Sequence, residues 1–201
     1  MKMSKARLVT VGMLAVAVFG LSGCEKQAPK PQVASAAQPF KPDAGVQDIM
    51  ADMIDPAADF LWESVSTSVD SKGSAEKRPT TKQEWALVRR QAIILAESSN
   101  LLMIEGRRVA REGKQLEDHG TLGNLSAAES EKAIAAKRAD FVAHAQALHF
   151  VGEAFVAAAD AQDTQAMLDA GDTMDQVCEA CHLQFWYPGQ VIPAFPENAK
   201  N

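Results

Sequence analysis

Apolar residues recur at the three- and four-residue spacing of amphipathic helices in four segments of the chain. The predicted helices cover residues 44–69, 81–113, 126–161 and 163–186. The second and third begin with a capping box, in which Thr81 or Ser126 is followed three positions later by a glutamate. Asp55 and Pro56 interrupt the first helix, because proline lacks an amide donor and favours a kink or a new helix start.

The segments between the predicted helices are polar. Residues 70–79 and 117–124 are rich in glycine and in hydrophilic side chains, so we interpret both as loops. No segment shows the period-two alternation of a β-strand, and aromatic residues make up only 6% of the chain. The pattern therefore predicts an all-α fold, an antiparallel four-helix bundle over residues 44–187.

The first 23 residues have the pattern of an export signal. Three basic residues precede an apolar run over residues 8–21, which is shorter than the roughly 20 apolar residues of a membrane span. The run ends in Leu-Ser-Gly-Cys24, which resembles the lipobox of bacterial lipoproteins. That resemblance implies cleavage before Cys24 and lipidation of its sulfur. The alternative is an ordinary signal peptide with an unmodified cysteine.

Residues 24–43 contain four prolines and hardly any aliphatic side chains. Such a segment cannot bury enough apolar surface to fold, so we interpret it as an extended spacer between membrane and domain. Residues 188–201, which begin with Pro188 and Gly189, are predicted to be a C-terminal tail.

The formal net charge of the chain is −6, from 20 basic and 26 acidic residues. Removing the signal removes three basic residues and no acidic ones, which gives −6 − 3 = −9. No basic block follows the signal, so nucleic acid is excluded as a partner. An acidic domain favours basic partners and is repelled by anionic headgroups, so membrane attachment is expected through the lipid anchor alone.

One motif carries chemistry. Cys178-Glu-Ala-Cys181-His182 has the Cys-x-x-Cys-His spacing of covalent haem c attachment. On a helix these three side chains share one face, so both sulfurs can bind haem vinyl groups beside an imidazole that binds iron. A redox-active cysteine pair usually follows a strand, and none is predicted here. A structural zinc site needs four ligands, and His119, His144 and His149 show no matching spacing.

The motif stands on the last predicted helix, and this order resembles the class II c-type cytochromes, the cytochrome c′ family and its low-spin relatives. The resemblance implies one covalent haem c held by Cys178 and Cys181, with His182 as proximal iron ligand. It implies an electron carrier rather than an enzyme, with redox proteins as partners, on the periplasmic side of a bacterial membrane. Family members are often homodimers.

The same resemblance implies that the first helix covers the distal face of the haem. In the low-spin relatives a methionine from that helix is the sixth iron ligand, and a thioether raises the reduction potential. Met50 is the candidate here and Met53 the substitute, since the two are three residues apart. Core packing is the alternative role for both. An apolar residue there would instead leave a five-coordinate iron open to nitric oxide or carbon monoxide.

Other residues have weaker assignments. Phe185, Trp186 and Tyr187 are expected to cap the end of the bundle, and His144 and His149 to be structural or exposed. Four arginines are candidate partners for haem propionates: Arg89, Arg90, Arg107 and Arg108. A third hypothesis, from another class, is a structural lipoprotein bundle with a redox-active cysteine pair.

Overall fold

A computed structural model of the chain describes residues 40–71 and 73–190. The predicted export signal, Cys24, most of the spacer and most of the C-terminal tail lie outside the described residues. The predictions made for those segments therefore stay predictions.

The described part of the chain is mostly helical, as expected for the all-α class. Its elements are α1 Val46–Ile49, a π-helical segment Met50–Ile54, α2 Asp55–Glu63, β1 Ser66–Asp70, β2 Gly73–Lys77, α3 Lys82–Leu102, α4 Ala127–Ala136, α5 Arg138–Ala161 and α6 Thr164–Phe185. The last three helices follow one another with only one or two residues between them.

Side-chain caps fix the starts of α3, α4 and α6, and the first two of these caps were predicted. The Thr81 hydroxyl accepts from the Glu84 amide at 3.2 Å, and the Glu84 carboxylate accepts from the Thr81 amide at 2.8 Å. Ser126 forms the same reciprocal pair with Glu129. Asp163 caps α6 by accepting from the Ala166 amide at 3.1 Å. These bonds satisfy amide groups that a helix start leaves without intrahelical partners.

The first helical region differs from the prediction. It changes to π-helical hydrogen bonding just before Pro56, with the Asp55 amide donating to the Met50 carbonyl five residues back. It ends at Glu63 instead of residue 69, and a β-hairpin follows, with Ser66 opposite Lys77 and Asp70 opposite Gly73. The β-branched residues of β1 favour an extended backbone. Gly73 has φ +133°, a conformation that glycine readily adopts.

Two further boundaries differ. The second helix, α3, ends at Leu102 rather than near residue 113, and residues 103–126 form turns without a regular helix. The third predicted helix is divided at Lys137, whose φ of −129° and ψ of 45° are not helical. This break lets α4 contact α6 as well as α5, so tertiary packing overrides the local helical pattern.

The core lies between α3, α5 and α6. Helix α3 packs along α5, α5 packs along α6, and α2 contacts both α3 and α6. Gly152 on α5 makes the closest approach: a Cβ there would lie 2.7 Å from the Ala96 side chain and backbone nitrogen on α3. The small residues of α5 therefore allow close helix packing.

Among the described residues one helix, α5, is long and apolar enough to cross a membrane by length and composition alone. Its buried residues include Phe141, Leu148, Val151 and Phe155, and they belong to the common core with α3 and α6. We therefore interpret α5 as a core helix.

Candidate functional site

A small cavity lies where the C-terminal half of α6 meets the N-terminal helical region and α5. It is lined by Met50, Ile54, Asp55, Ala58, His144, Leu148, Val177, Cys178, Cys181 and His182. The structure thus brings the whole Cys-x-x-Cys-His motif together with Met50. The cavity volume is about 40 Å³, room for a few water molecules, so a large planar group would need the facing helices further apart.

The two cysteines lie one turn apart on α6 because residues three positions apart share a helix face. Both are free thiols and half-buried. Burial raises the pKa of Cys178 to about 11, with a contribution from the Asp55 and Asp175 carboxylates. Burial raises the pKa of Cys181 to about 12, with a contribution from Cys178. The raised pKa values favour the protonated thiol at both cysteines.

His182 is placed beside the cysteines with one ring nitrogen occupied. Its Nδ1 lies 3.3 Å from the Tyr187 hydroxyl oxygen, which leaves Nε2 for another ligand. Burial lowers the pKa of His182, and the Asp55 and Glu179 carboxylates oppose that shift. The lowered pKa favours the neutral imidazole, which is the form that binds metals.

The two candidate methionines lie in different environments in the structure. Met50 is half-buried and lines the cavity, whereas Met53 is 37% exposed and does not line it. The sequence reasoning placed them on one face because it assumed an α-helix. Both lie in the π-helical segment Met50–Ile54, whose wider turn no longer aligns residues three apart.

Asp55 is a cavity residue that sequence reasoning missed. The sequence marked it only as the residue before Pro56, at a helix break. In the structure its carboxyl borders the cavity, where burial raises its pKa and the nearby His182 opposes the shift. The only local signal in the sequence was its position at the start of α2. The cysteines and the histidine that share the cavity with it belong to α6, which is distant in the sequence.

His144 also lines the cavity, although it was expected to be structural or exposed. Its Nε2 lies 3.1 Å from the Gln184 side-chain oxygen, and the Gln184 amide donates to Asp140 at 3.0 Å. These bonds join α5 to α6 beside the cysteine motif. His144 therefore has a structural role, as expected, but it performs that role beside the candidate site.

None of the arginines proposed for propionates lines the cavity, namely Arg89, Arg90, Arg107 and Arg108. Arg89 pairs with Asp160 across α3 and α5 at 2.7 Å, and Arg107 donates to the carbonyls of Leu101 and Ala44. The structure does not bring these cations together with the cysteines.

Within residues 40–71 and 73–190, no group of three or more His, Cys, Asp or Glu side chains is arranged to hold a metal ion. Two imidazoles, those of His144 and His182, line the cavity together with the Met50 thioether, and the Nε2 atom of His144 already lies against Gln184. One remaining imidazole nitrogen and one thioether would suit a metal whose other ligands belong to a cofactor. Comparison of the chain with protein-family models, with curated proteins and with solved structures found no match.

Proposed function

We propose that the chain is a helical-bundle protein with one covalently attached haem c, and that it carries single electrons. More specifically, we assign it to the class II c-type cytochromes, in the group with methionine as sixth iron ligand. The observation that carries the proposal is the meeting of Cys178, Cys181, His182 and Met50 on one cavity.

The helix packing supports an antiparallel four-helix bundle as the scaffold. Residues 46–63 form one helical region with a π turn, and they pack on α3. Helix α3 packs on α5, and α5 packs on α6. Contacts between α2 and α6 complete the ring of four helical regions.

The donor chemistry of the site fits a covalent haem. Each protonated thiol of Cys178 and Cys181 can add its S–H across a vinyl double bond, which forms a C–S bond and places the hydrogen on the neighbouring carbon. All atoms of the thiol and the vinyl group are kept in the product, so this addition needs no oxidant. The Nε2 atom of His182 is available for iron. Bound haem supplies a reversible one-electron ferric/ferrous couple.

Met50 supports electron transfer as the leading function. Its thioether is the soft ligand that favours ferrous iron and raises the reduction potential. The alternative is a five-coordinate haem protein that binds nitric oxide or carbon monoxide. The apolar side chains of Ile54, Ala58, Leu148 and Val177 in the cavity favour that alternative, because they suit small uncharged ligands.

The proposed location is the periplasmic side of a bacterial membrane, with a lipid anchor on Cys24. The predicted spacer and the acidic charge of the domain support tethering at a distance from anionic headgroups. The expected partners are redox proteins with basic docking surfaces.

The first experiment tests the covalent cofactor. The purified chain is denatured, separated by electrophoresis and stained for haem, alongside a Cys178→Ala, Cys181→Ala double variant. We expect haem stain in the wild type and none in the double variant, which should also fold poorly because the core loses a large apolar group. A Cys24→Ala variant is the control and should keep its haem. A wild type without haem stain overturns the proposal, and a double variant with an unchanged melting temperature overturns the role of haem in the core.

A second experiment distinguishes electron transfer from gas binding. Absorption spectra of the oxidised and the dithionite-reduced protein are recorded with and without carbon monoxide. A wild-type spectrum that is low-spin and insensitive to carbon monoxide supports the methionine ligand. Met50→Ala should then bind carbon monoxide, and Met53→Ala should behave as the wild type. A wild type that is high-spin and shifts with carbon monoxide supports the gas-binding alternative.

A further inference from the structure

Three side chains at the end of α6 form a hydrogen-bonded chain. The Tyr187 hydroxyl donates to a Glu179 carboxylate oxygen at 2.7 Å, and the same hydroxyl oxygen lies 3.3 Å from His182 Nδ1. A tyrosine hydroxyl has one hydrogen to donate, and the carboxylate can only accept. The hydroxyl oxygen must therefore accept from His182, whose proton is assigned to Nδ1.

The hydroxyl of Tyr187 keeps its proton, because the Glu179 carboxylate oxygen 2.7 Å away can only accept a hydrogen bond. The donated hydrogen bond increases the negative character of the hydroxyl oxygen, which makes that oxygen a stronger acceptor for the imidazole N–H. The charge of Glu179 thus strengthens the hydrogen bond from His182 to the Tyr187 hydroxyl oxygen.

Backbone contacts hold Tyr187 in this place. The His182 carbonyl accepts from the amides of both Trp186 and Tyr187, at 2.8 and 2.9 Å. Trp186 is itself fixed, because its carbonyl accepts from the Leu125 amide at 2.8 Å and its indole N–H donates to Asp118 at 2.9 Å. The tyrosine ring centroid lies 5.6 Å from that of His182. The contact between the two side chains is therefore supported by two segments of the chain.

We propose that Tyr187 and Glu179 are positioning residues that fix the tautomer of His182 and strengthen Nε2 as an iron donor. This inference rests on the proposed function. A hydrogen bond from the second ring nitrogen orients a metal-binding histidine and raises its basicity. A more basic axial imidazole stabilises ferric over ferrous iron, so the pair lowers the reduction potential. Glu179 occupies a variable position of the Cys-x-x-Cys-His motif, to which the motif itself gives no role.

The midpoint potential of the haem protein tests this role. Tyr187→Phe removes the hydroxyl and keeps the ring, so the ferrous-to-ferric ratio at a fixed potential should rise about tenfold. For a one-electron couple this equals an upward shift of about 59 mV. Glu179→Gln keeps an acceptor oxygen but removes the charge, so its shift should be smaller. The double variant should shift the potential by less than the sum of the two single shifts, because Glu179 acts partly through the hydroxyl and partly by its direct charge on His182.

Asp175→Asn is the matched control for charge. Asp175 acts electrostatically on Cys178 and Tyr187, but it is outside the hydrogen-bonded chain. The small change in midpoint potential caused by Asp175→Asn should add to the change caused by Tyr187→Phe. A second measurement follows the His182 Nδ1–H by proton NMR in the diamagnetic ferrous protein. That resonance should be protected from solvent exchange in the wild type and lost in Tyr187→Phe.

The outcomes separate this inference from the proposed function. If haem remains attached and Tyr187→Phe has the wild-type potential, the role of Tyr187 is refuted and the cytochrome proposal stands. Fully additive shifts of Tyr187→Phe and Glu179→Gln refute the connection through the hydroxyl. A chain without covalent haem refutes both proposals.

Discussion

Replacing Gly152 by alanine should destabilise the protein, although alanine is the better helix former. A Cβ at this position would lie 2.7 Å from Ala96 Cβ and nitrogen, which is 0.7 Å short of the 3.4 Å where ordinary contact begins. Two of the three nearest atoms belong to the α3 backbone, so rotation of a side chain cannot relieve the overlap. The helices α3 and α5 must therefore separate.

The change in the free energy of unfolding caused by Gly152→Ala is the sum of two opposing effects. Overpacking a close helix contact costs about 1–3 kcal/mol. Replacing glycine by alanine inside a helix contributes about 1 kcal/mol of stability. Gly171→Ala on α6 is the matched control, because no atom lies within 4 Å of its added Cβ and only the favourable effect applies. The two variants should thus differ by about 1–3 kcal/mol, with Gly152→Ala the less stable.

Thermal unfolding of the two variants, followed by circular dichroism, measures this difference. For a domain of this size, 1 kcal/mol corresponds to about 2–4 °C in Tm. Gly171→Ala should unfold above the wild type and Gly152→Ala below Gly171→Ala. If Gly152→Ala is stabilised as much as Gly171→Ala, then α3 and α5 do not approach each other as described.

Three other predictions concern separate parts of the chain. Phe155→Ala should cost about 3–5 kcal/mol in urea unfolding, since Phe155 is 1% exposed, whereas Phe150→Ala, at 64% exposed, should be nearly neutral. Backbone amides at the start of α3 lower the pKa of Glu84 from 4.5 to about 2, so its stabilisation should disappear as pH falls through this interval. Glu84→Gln should lose less stability than the wild type over the same interval, and the remaining loss includes that from Glu129, whose pKa is also lowered by its helix-capping bonds. Cys24→Ala should release the protein from membranes, and unchanged membrane fractionation would refute lipidation.

Local chemistry explains which fold features could be predicted. The starts of α3, α4 and α6 depend on the caps Thr81, Ser126 and Asp163, whose bonding partners lie three residues away. The break at Lys137 has no glycine or proline to mark it in the sequence, and it is accompanied by contacts of α4 with α6. The hairpin was missed because its first strand continues an apolar helical spacing, and β2 is exposed along its whole length.

At the candidate site, too, local features could be predicted from the sequence and contacts between distant segments could not. Cys178, Cys181 and His182 form a motif on one helix, so their proximity follows from spacing alone. Asp55 and His144 reach the cavity from other helices, and the sequence contains no signal for that meeting. The choice between the two methionines required the backbone geometry near Pro56. Tyr187 was expected to cap the bundle end, and its contact with His182 became visible only from the turn after α6.

The π segment Met50–Ile54 has a consequence for how the distal side of the site can change. A π turn contains one residue more than an α turn, so it is equivalent to a single-residue insertion in a continuous helix. Each residue of an α-helix rotates the chain by about 100°. Deleting one residue such as Asp52 would turn Met50 away from the cavity, while Ala57 and Leu61 kept their buried positions downstream. Chain length at this turn, and not only side-chain identity, therefore controls which group faces the site.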